Sequence, residues 1–307
     1  MTITGIGETV LDIVFQDMQP QAAVPGGSTF NAMVSLGRTV GRDFPEVGLR
    51  MVSQIGDDAV GDLVFSFMDK NRVGTGAMMR APGQSTVSLA MLDANRNAKY
   101  EFFRDRSLPP FRAPALAFGP GDIVLYGSFF AINPATREQT RALIQQAREA
   151  GATVYYDINF RKAHDAGTSR PEIEKNMALS DIVRGSSEDI EALYGSASPS
   201  EVYRKHIAPR CPIFICTQGA LETEVFAPGF HASYPVPPGT RVVSTIGAGD
   251  NFNAGTVYAL VKLRKLDWDA IVPIAHRFSA NVVASLYNYV DEGFRPEGID
   301  KSNPLNQ

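Results

Sequence analysis

A doubly wound α/β fold is what this 307-residue chain predicts, and three observations carry the expectation. Short apolar or β-branched runs alternate with amphipathic helical segments along most of the chain. The runs are continuous rather than alternating in polarity, which suits strands of a mainly parallel sheet covered by helices on both faces. Two glycine-rich turns, at Gly26-Gly27 and at Gly247-Ala248-Gly249, each open a helical segment.

In order, Ile3 to Gly7, Leu49 to Ile55, Asp122 to Tyr126, Ala152 to Tyr156, Ile182 to Arg184 and Ile213 to Thr217 read as strands. The clearest helix is Ala135 to Ala150, where Leu143, Ile144 and Ala147 form an apolar stripe that Gly151 terminates. Two stretches depart from the pattern. Ser85 to Arg104 alternates, with Val87, Leu89 and Met91, a polar turn at Asp93 to Asn97, then Tyr100 and Phe102, as an antiparallel hairpin does. Asp12 to Val24 also reads as extended. Together they predict a small projecting β-sheet from about residues 9–25 and 83–106, acting as a lid or as a dimer surface. Leu108 to Pro114 reads as the link back to a single domain spanning 1–307, and the residues from about Pro296 as loosely held.

With 44% apolar and 20% charged residues the chain is ordinary for a soluble globular protein. It has no apolar run of transmembrane length and no signal-peptide pattern at Met1-Thr2-Ile3-Thr4, so a cytoplasmic location is expected. Cys211 and Cys216 read as reduced core residues. A net charge of −4 argues against nucleic-acid or anionic-membrane partners, though not against a nucleotide held by local donors and a metal ion.

The chemistry concentrates at the two turns. A small-residue turn at a helix start leaves backbone N–H groups unpaired and aimed at one spot, where negative charge is favoured. Asp250 follows directly. A base beside an anion hole is what deprotonating a hydroxyl and steadying a migrating phosphoryl group require. At the other turn, Gly26 and Gly27 allow close backbone approach to a ligand or φ > 0; an ordinary tight turn is the competing account. Asn31 offers a donor and acceptors matching a vicinal diol, and Asp12 would accept from sugar hydroxyls or serve as a surface carboxylate. In Asp157-Ile158-Asn159-Phe160-Arg161, an extended chain would align Asp157, Asn159 and Arg161 at the carboxyl end of a strand, where α/β sheets bind ligands. Arg161 would hold a phosphate or sugar oxygen, or form an exposed salt bridge. There is no Walker A sequence, and Gly5-Ile6-Gly7 lacks the third glycine of a dinucleotide site, Val10 standing there instead.

On these residues the chain resembles the ribokinase-like (pfkB) carbohydrate-kinase family, in particular its fructokinase-like members, over nearly its full length. The motifs are Gly26-Gly27-Ser28-Thr29-Phe30-Asn31-Ala32 with Leu36-Gly37, then Ile55-Gly56-Asp57-Asp58-Ala59-Val60-Gly61-Asp62, and finally Thr245-Ile246-Gly247-Ala248-Gly249-Asp250 with Phe252 and Gly255. The resemblance implies Asp250 as base, an anion hole at Gly247, Ala248 and Gly249, and sugar contacts from Asp12, Gly26, Gly27 and Asn31. Tyr100-Glu101-Phe102-Phe103-Arg104 resembles a lid hairpin whose Arg reaches the sugar; a solvated hairpin residue is the other account of Arg104. Thr217-Gln218-Gly219-Ala220 resembles a phosphate-contacting turn, with Glu222 where the family usually has glycine. Asn281 matches a position near the adenine, or is a polar residue on a helix surface. The family's Asn-x-x-Glu segment, tied to Mg²⁺ and phosphates, reads Ser186-Ser187-Glu188-Asp189, making Asp189 the candidate metal ligand and Ser186 a nucleotide contact. Ser244 replaces a carboxylate that helps hold a monovalent cation in many relatives, which leaves that ion open.

The expected function is ATP- and Mg²⁺-dependent phosphorylation of a primary sugar hydroxyl, fructose or a related ketose, in a possible homodimer formed through the lid. The alternatives are a same-fold kinase for ribose, 2-keto-3-deoxygluconate or a nucleoside, and a non-catalytic sugar-binding protein. A helix N-terminus carries only about half a positive charge, so a metal and an Arg are expected beside it.

Overall fold

A computed structural model describes residues 1–93, 98–160 and 165–296 of the chain. The first half holds β1 (Thr2–Ile6), β2 (Val10–Gln16), β3 (Gln19–Gly26), α1 (Ser28–Asp43), β4 (Gly48–Gly56), α2 (Ala59–Lys70), β5 (Met78–Ala81), β6 (Val87–Leu92), β7 (Ala98–Phe103) and β8 (Ile123–Gly127). Then come α3 (Arg137–Glu149), β9 (Thr153–Asp157), α4 (Ala166–Met177), β10 (Ile182–Ser186), α5 (Ser187–Tyr194), α6 (Pro199–Val202), β11 (Ile213–Thr217), β12 (Glu222–Ala227), β13 (Phe230–Pro235), α7 (Ala248–Leu263) and α8 (Trp268–Val283).

The described strands form a nine-stranded sheet in the order β13-β12-β11-β10-β9-β8-β1-β4-β5. Pairing is parallel from β11 to β5, with β12 and β13 an antiparallel hairpin at one edge. Successive residues of each strand point to opposite faces, so Ile3, Met51, Leu125 and Tyr155 pack beneath α1, α2, α7 and α8. Ile6, Val52, Val124 and Tyr156 pack against α3, α4 and α5 on the other face. Both faces are covered, as the continuous apolar runs predicted. The edge hairpin was not singled out in the sequence. Its signal was the alternation of Glu222-Thr223-Glu224-Val225, whose half-buried and buried positions also alternate.

A second sheet, ordered β3-β2-β6-β7, stands apart from the first. β2–β3 and β6–β7 are antiparallel hairpins, and they join through a parallel β2–β6 pair. The turn expected at Asp93 to Asn97 lies largely outside the described residues, as does the chain end from residue 297. Val14, Ala90 and Ile246 make a small buried cluster of their own, with Leu92 and Tyr100 against it. Ile246 directly precedes the Gly247 turn, so the lid rests on the segment that leads into α7.

The two glycine turns meet because α1 and α7 lie side by side on one face of the sheet. Ser35 of α1 donates to Asn251 Oδ1 of α7 at 2.5 Å, both residues being fully buried. Asn251 Nδ2 in turn donates to the carbonyls of Gly247 and Asn288, each at 2.8 Å. A buried polar group held at every valence specifies one packing, because any slip would leave it unpaired.

Candidate active site

Gly247 starts α7 at φ +77°, a backbone that L side chains rarely adopt, and a Cβ built there would fall 2.7 Å from the Asn288 carbonyl oxygen. No side chain caps this helix; the Ala248 N–H reaches back to Thr245 O at 3.3 Å. Its first turn therefore presents N–H groups without the usual capping acceptor, which favours an anion there. Asp250 lies in that turn. Its Oδ1 accepts from the Ser28 hydroxyl at 2.7 Å and its Oδ2 from Asn31 Nδ2 at 2.8 Å, both from the first turn of α1. The two glycine turns thus face one another across one pocket, lined among others by Asp12, Gly27, Asn31, Gly247 and Asp250.

Behind the Gly26-Gly27 turn, Asp12 is 4% exposed and accepts from the Ser88 hydroxyl and from Asn288 Nδ2 at 2.9 Å. The glycines make room for the protein's own groups, not only for a ligand as the sequence suggested. A Cβ on Gly26 would lie 2.1 Å from Asp12 Oδ2, and one on Gly27 (φ +120°) 2.1 Å from the Glu8 carbonyl oxygen. Two buried acceptors, Asn31 Oδ1 and Asn288 Oδ1, have no hydrogen-bond partner among the described residues. An unmatched buried acceptor costs about 1–3 kcal/mol.

Arg104 lines the same pocket. Its Nε and Nη2 donate to the two Glu8 carboxylate oxygens at 3.1 and 3.2 Å, and its guanidinium lies over the Phe102 and Phe129 rings. Ser128 (φ +55°) and Asn159 (φ +36°) also line it in backbone conformations unusual outside glycine, a kind of strain that concentrates at functional sites. The expected alignment of Asp157, Asn159 and Arg161 is corrected here. β9 ends at Asp157, Asn159 turns left-handed, and the alternation breaks, so Asp157 is 2% exposed while Asn159 faces the pocket. Arg161 lies outside the described residues.

Asp157 instead joins a buried network. Arg184 Nη1 donates to its Oδ1 at 3.1 Å, Asn253 Nδ2 to its Oδ2 at 2.9 Å, and the Ser28 hydroxyl stands 3.5 Å from Oδ2. Burial pushes the Asp157 carboxyl up to about 6, further than Arg184 pulls it down, and the neighbouring Asp250 and Asp189 add to the rise. Burial opposes the charge of Arg184, but the carboxylates of Asp157 and Asp189 outweigh it and hold the guanidinium charged. Arg184, Ser28, Asn253 and Asn288 were missed in the sequence. The available signals were a charge closing an apolar strand and an Asn inside an apolar helix.

At the turn after β11, Gly219 (φ +58°) has open space where a Cβ would be, and Thr217 Oγ1 accepts from Arg184 Nη2 at 2.5 Å. Asp189, the candidate metal ligand, takes part in a helix cap. Its carboxylate accepts from Phe160 N at 2.8 Å, Ser186 N at 2.7 Å and Ser186 Oγ at 2.8 Å, while the Ser186 hydroxyl accepts from Asp189 N in a reciprocal capping box. Asn281 exchanges two hydrogen bonds with Asp291, at 3.1 and 2.9 Å, and so fastens the segment after α8, as a helix-surface residue does. Ser244 is buried and accepts from Ile246 N at 3.2 Å. Cys211 and Cys216 are free and buried, their thiols pushed up to about 12 by burial, which suits core residues. Among the described residues no helix is long and apolar enough to cross a membrane.

Residues 14–289 match the sequence profile of the pfkB family carbohydrate kinase. A fructokinase of Vibrio alginolyticus is 26% identical over 269 residues, 85% of this chain and 84% of that protein. Among solved structures, the fructokinase of Vibrio cholerae O395 with fructose, ADP and a calcium ion superposes with a TM-score of 0.81 at 22% identity, covering 94% of each chain. The aminoimidazole riboside kinase of Salmonella enterica with aminoimidazole riboside and an ATP analogue gives 0.83 at 21% identity, covering 97% of this chain and 98% of that one.

Proposed function

The chain belongs to the pfkB family of carbohydrate kinases, and from that premise we propose that it transfers the γ-phosphate of ATP to a primary hydroxyl of a sugar, fructose or a related ketose. One observation carries the reading: Asp250, at the uncapped start of α7, is held by Ser28 and Asn31 of the facing turn. Each carboxylate oxygen accepts a hydrogen bond, so the group is held in orientation where it lines the pocket. A hydroxyl lodged in the pocket that Asp250 lines would meet it. General-base help of this kind is worth roughly 10²–10⁴ in rate. Asp12, Gly26, Gly27 and Arg104 would bound the sugar; Gly247, Ala248 and Gly249 would receive the phosphoryl group, and Thr217 and Gly219 the nucleotide.

The proposed divalent ion is Mg²⁺, which would neutralise phosphate charge and would keep much of its water. The buried Asp189 would reach it through that water. A homodimer through the lid and a cytoplasmic location are part of the same proposal, the first supported by the exposed Phe103 on β7.

A riboside acceptor is the second reading, favoured by the likeness to the Salmonella enzyme named above. Coupled ADP release with a panel of fructose, ribose, 2-keto-3-deoxygluconate and adenosine separates the two. Fructose is expected to give the highest kcat/KM; a riboside or adenosine well ahead of it would move the acceptor class, and no turnover with any of them would end the kinase reading.

A further inference from the structure

Arg184 stands in β10 near the carboxyl end of the parallel sheet and is 7% exposed. A guanidinium carries five N–H donors and does not give up its charge. Burying it is costly unless those donors are matched. Nη1 donates to Asp157 at 3.1 Å and Nη2 to Thr217 Oγ1 at 2.5 Å, but the buried Nε has no partner among the described residues. Neutralising Asp157 would not by itself require the bond to Thr217, which opens the turn after β11. The guanidinium also lies against the anion hole. A Cβ built on Gly249 would fall 2.8 Å from Nη1 and 2.9 Å from Nη2. A side chain at position 249 would displace the guanidinium that lies against it.

From this geometry we propose that Arg184 is the fixed positive charge of the anion hole, binding the terminal phosphates of the nucleotide and steadying the phosphoryl group in transfer. The inference rests on the kinase reading above. The helix start alone supplies about half a charge, and an arginine beside it adds a full one where phosphoryl transfer concentrates negative charge. As the sugar oxygen bonds to the γ-phosphorus, the bond from that phosphorus to the β–γ bridging oxygen breaks. The sugar's proton passes to Asp250, and ADP leaves with the electron pair. Arg184 exchanges no proton in this sequence. Asp157 and Thr217 hold its guanidinium in place, so it need not reorganise as the charge moves.

Removing Arg184 alone would leave Asp157 buried and unpaired, which endangers the fold. The decisive comparison is therefore Asp157→Asn against the double variant Arg184→Met/Asp157→Asn, in which the pair is emptied together. Calorimetric titrations would use fructose, AMP, and the Mg²⁺ complex of AMP-PNP. The double variant is expected to bind AMP-PNP at least about tenfold more weakly than Asp157→Asn and to turn over at least about 100-fold more slowly, with fructose and AMP affinities within about threefold. Equal AMP-PNP affinity and equal turnover in the two variants would reduce Arg184 to the counter-ion of Asp157. If the wild type phosphorylates no acceptor, the kinase reading falls, yet the AMP-PNP comparison still decides what Arg184 binds.

Discussion

Asp157 shows how a single buried carboxyl sets the electrostatics of this site. In the fold it titrates near 6, against about 3.9 for an unperturbed Asp. The native chain therefore binds a proton that the unfolded chain has released between about pH 4 and 6, and stability drawn from this group fades as pH rises through that window. Arg184 stays charged throughout and adds no slope of its own. Two units correspond to about 3 kcal/mol. Denaturant titrations at several pH values should find wild type losing about that much relative to Asp157→Asn between pH 4 and 7. A relative gain instead would mean that Arg184, not burial, dominates. The same carboxylate stands 3.5 Å from the Ser28 hydroxyl that holds Asp250, so one serine touches both acids. No residue-by-residue reading of the turn Gly26-Gly27-Ser28 could have assigned that contact.

Among the elements, the lid and the anion hole are joined through Ile246. It is 7% exposed between Val14 and Ala90 of the lid and one residue from Gly247. Val14, Ala90 and Ile246 form a buried cluster of their own where the lid docks, so Ile246 contributes to its closure. Truncating a buried Ile to Ala costs about 2–5 kcal/mol, and every ~1.4 kcal/mol withdrawn from closure raises an apparent KM about tenfold. Ile246→Ala is accordingly expected to raise the sugar KM at least about tenfold and to increase ADP release without sugar, since a lid that closes poorly admits water. Steady-state kinetics with and without sugar would check both. An unchanged KM would mean that the lid is docked by other contacts.

Across the molecule, what was legible in the sequence is what local patterning encodes. Continuous apolar runs marked the parallel strands because both faces of the sheet are buried, and alternation marked the lid because one of its faces is not. The two glycine turns announced themselves by composition. The edge strands β12 and β13 were overlooked because their alternation is short and charged. Arg184, Ser28, Asn253 and Asn288 were illegible for a different reason: their roles arise only when distant segments meet. Ser28 and Asp250 are 222 residues apart in sequence, and Asp12 and Asn288 are 276 apart. Their contacts depend on α1 and α7 packing side by side, with Asn251 pinning both to the chain after α8. The acidic chain as a whole, at −4, offers a triphosphate no general attraction. The positive field must therefore be local, at the start of α7 and at Arg184.

The central claim is that Asp250, clamped between those two helix starts, takes the proton of a bound sugar hydroxyl. Asp250→Asn keeps the shape of the side chain and removes the base, so the direct measurement is its kcat with fructose, ATP and Mg²⁺ beside its calorimetric affinity for fructose. The variant is expected to have a kcat lowered by at least about 10²-fold with the fructose Kd within about threefold of wild type. A variant that turns over at the wild-type rate would contradict it.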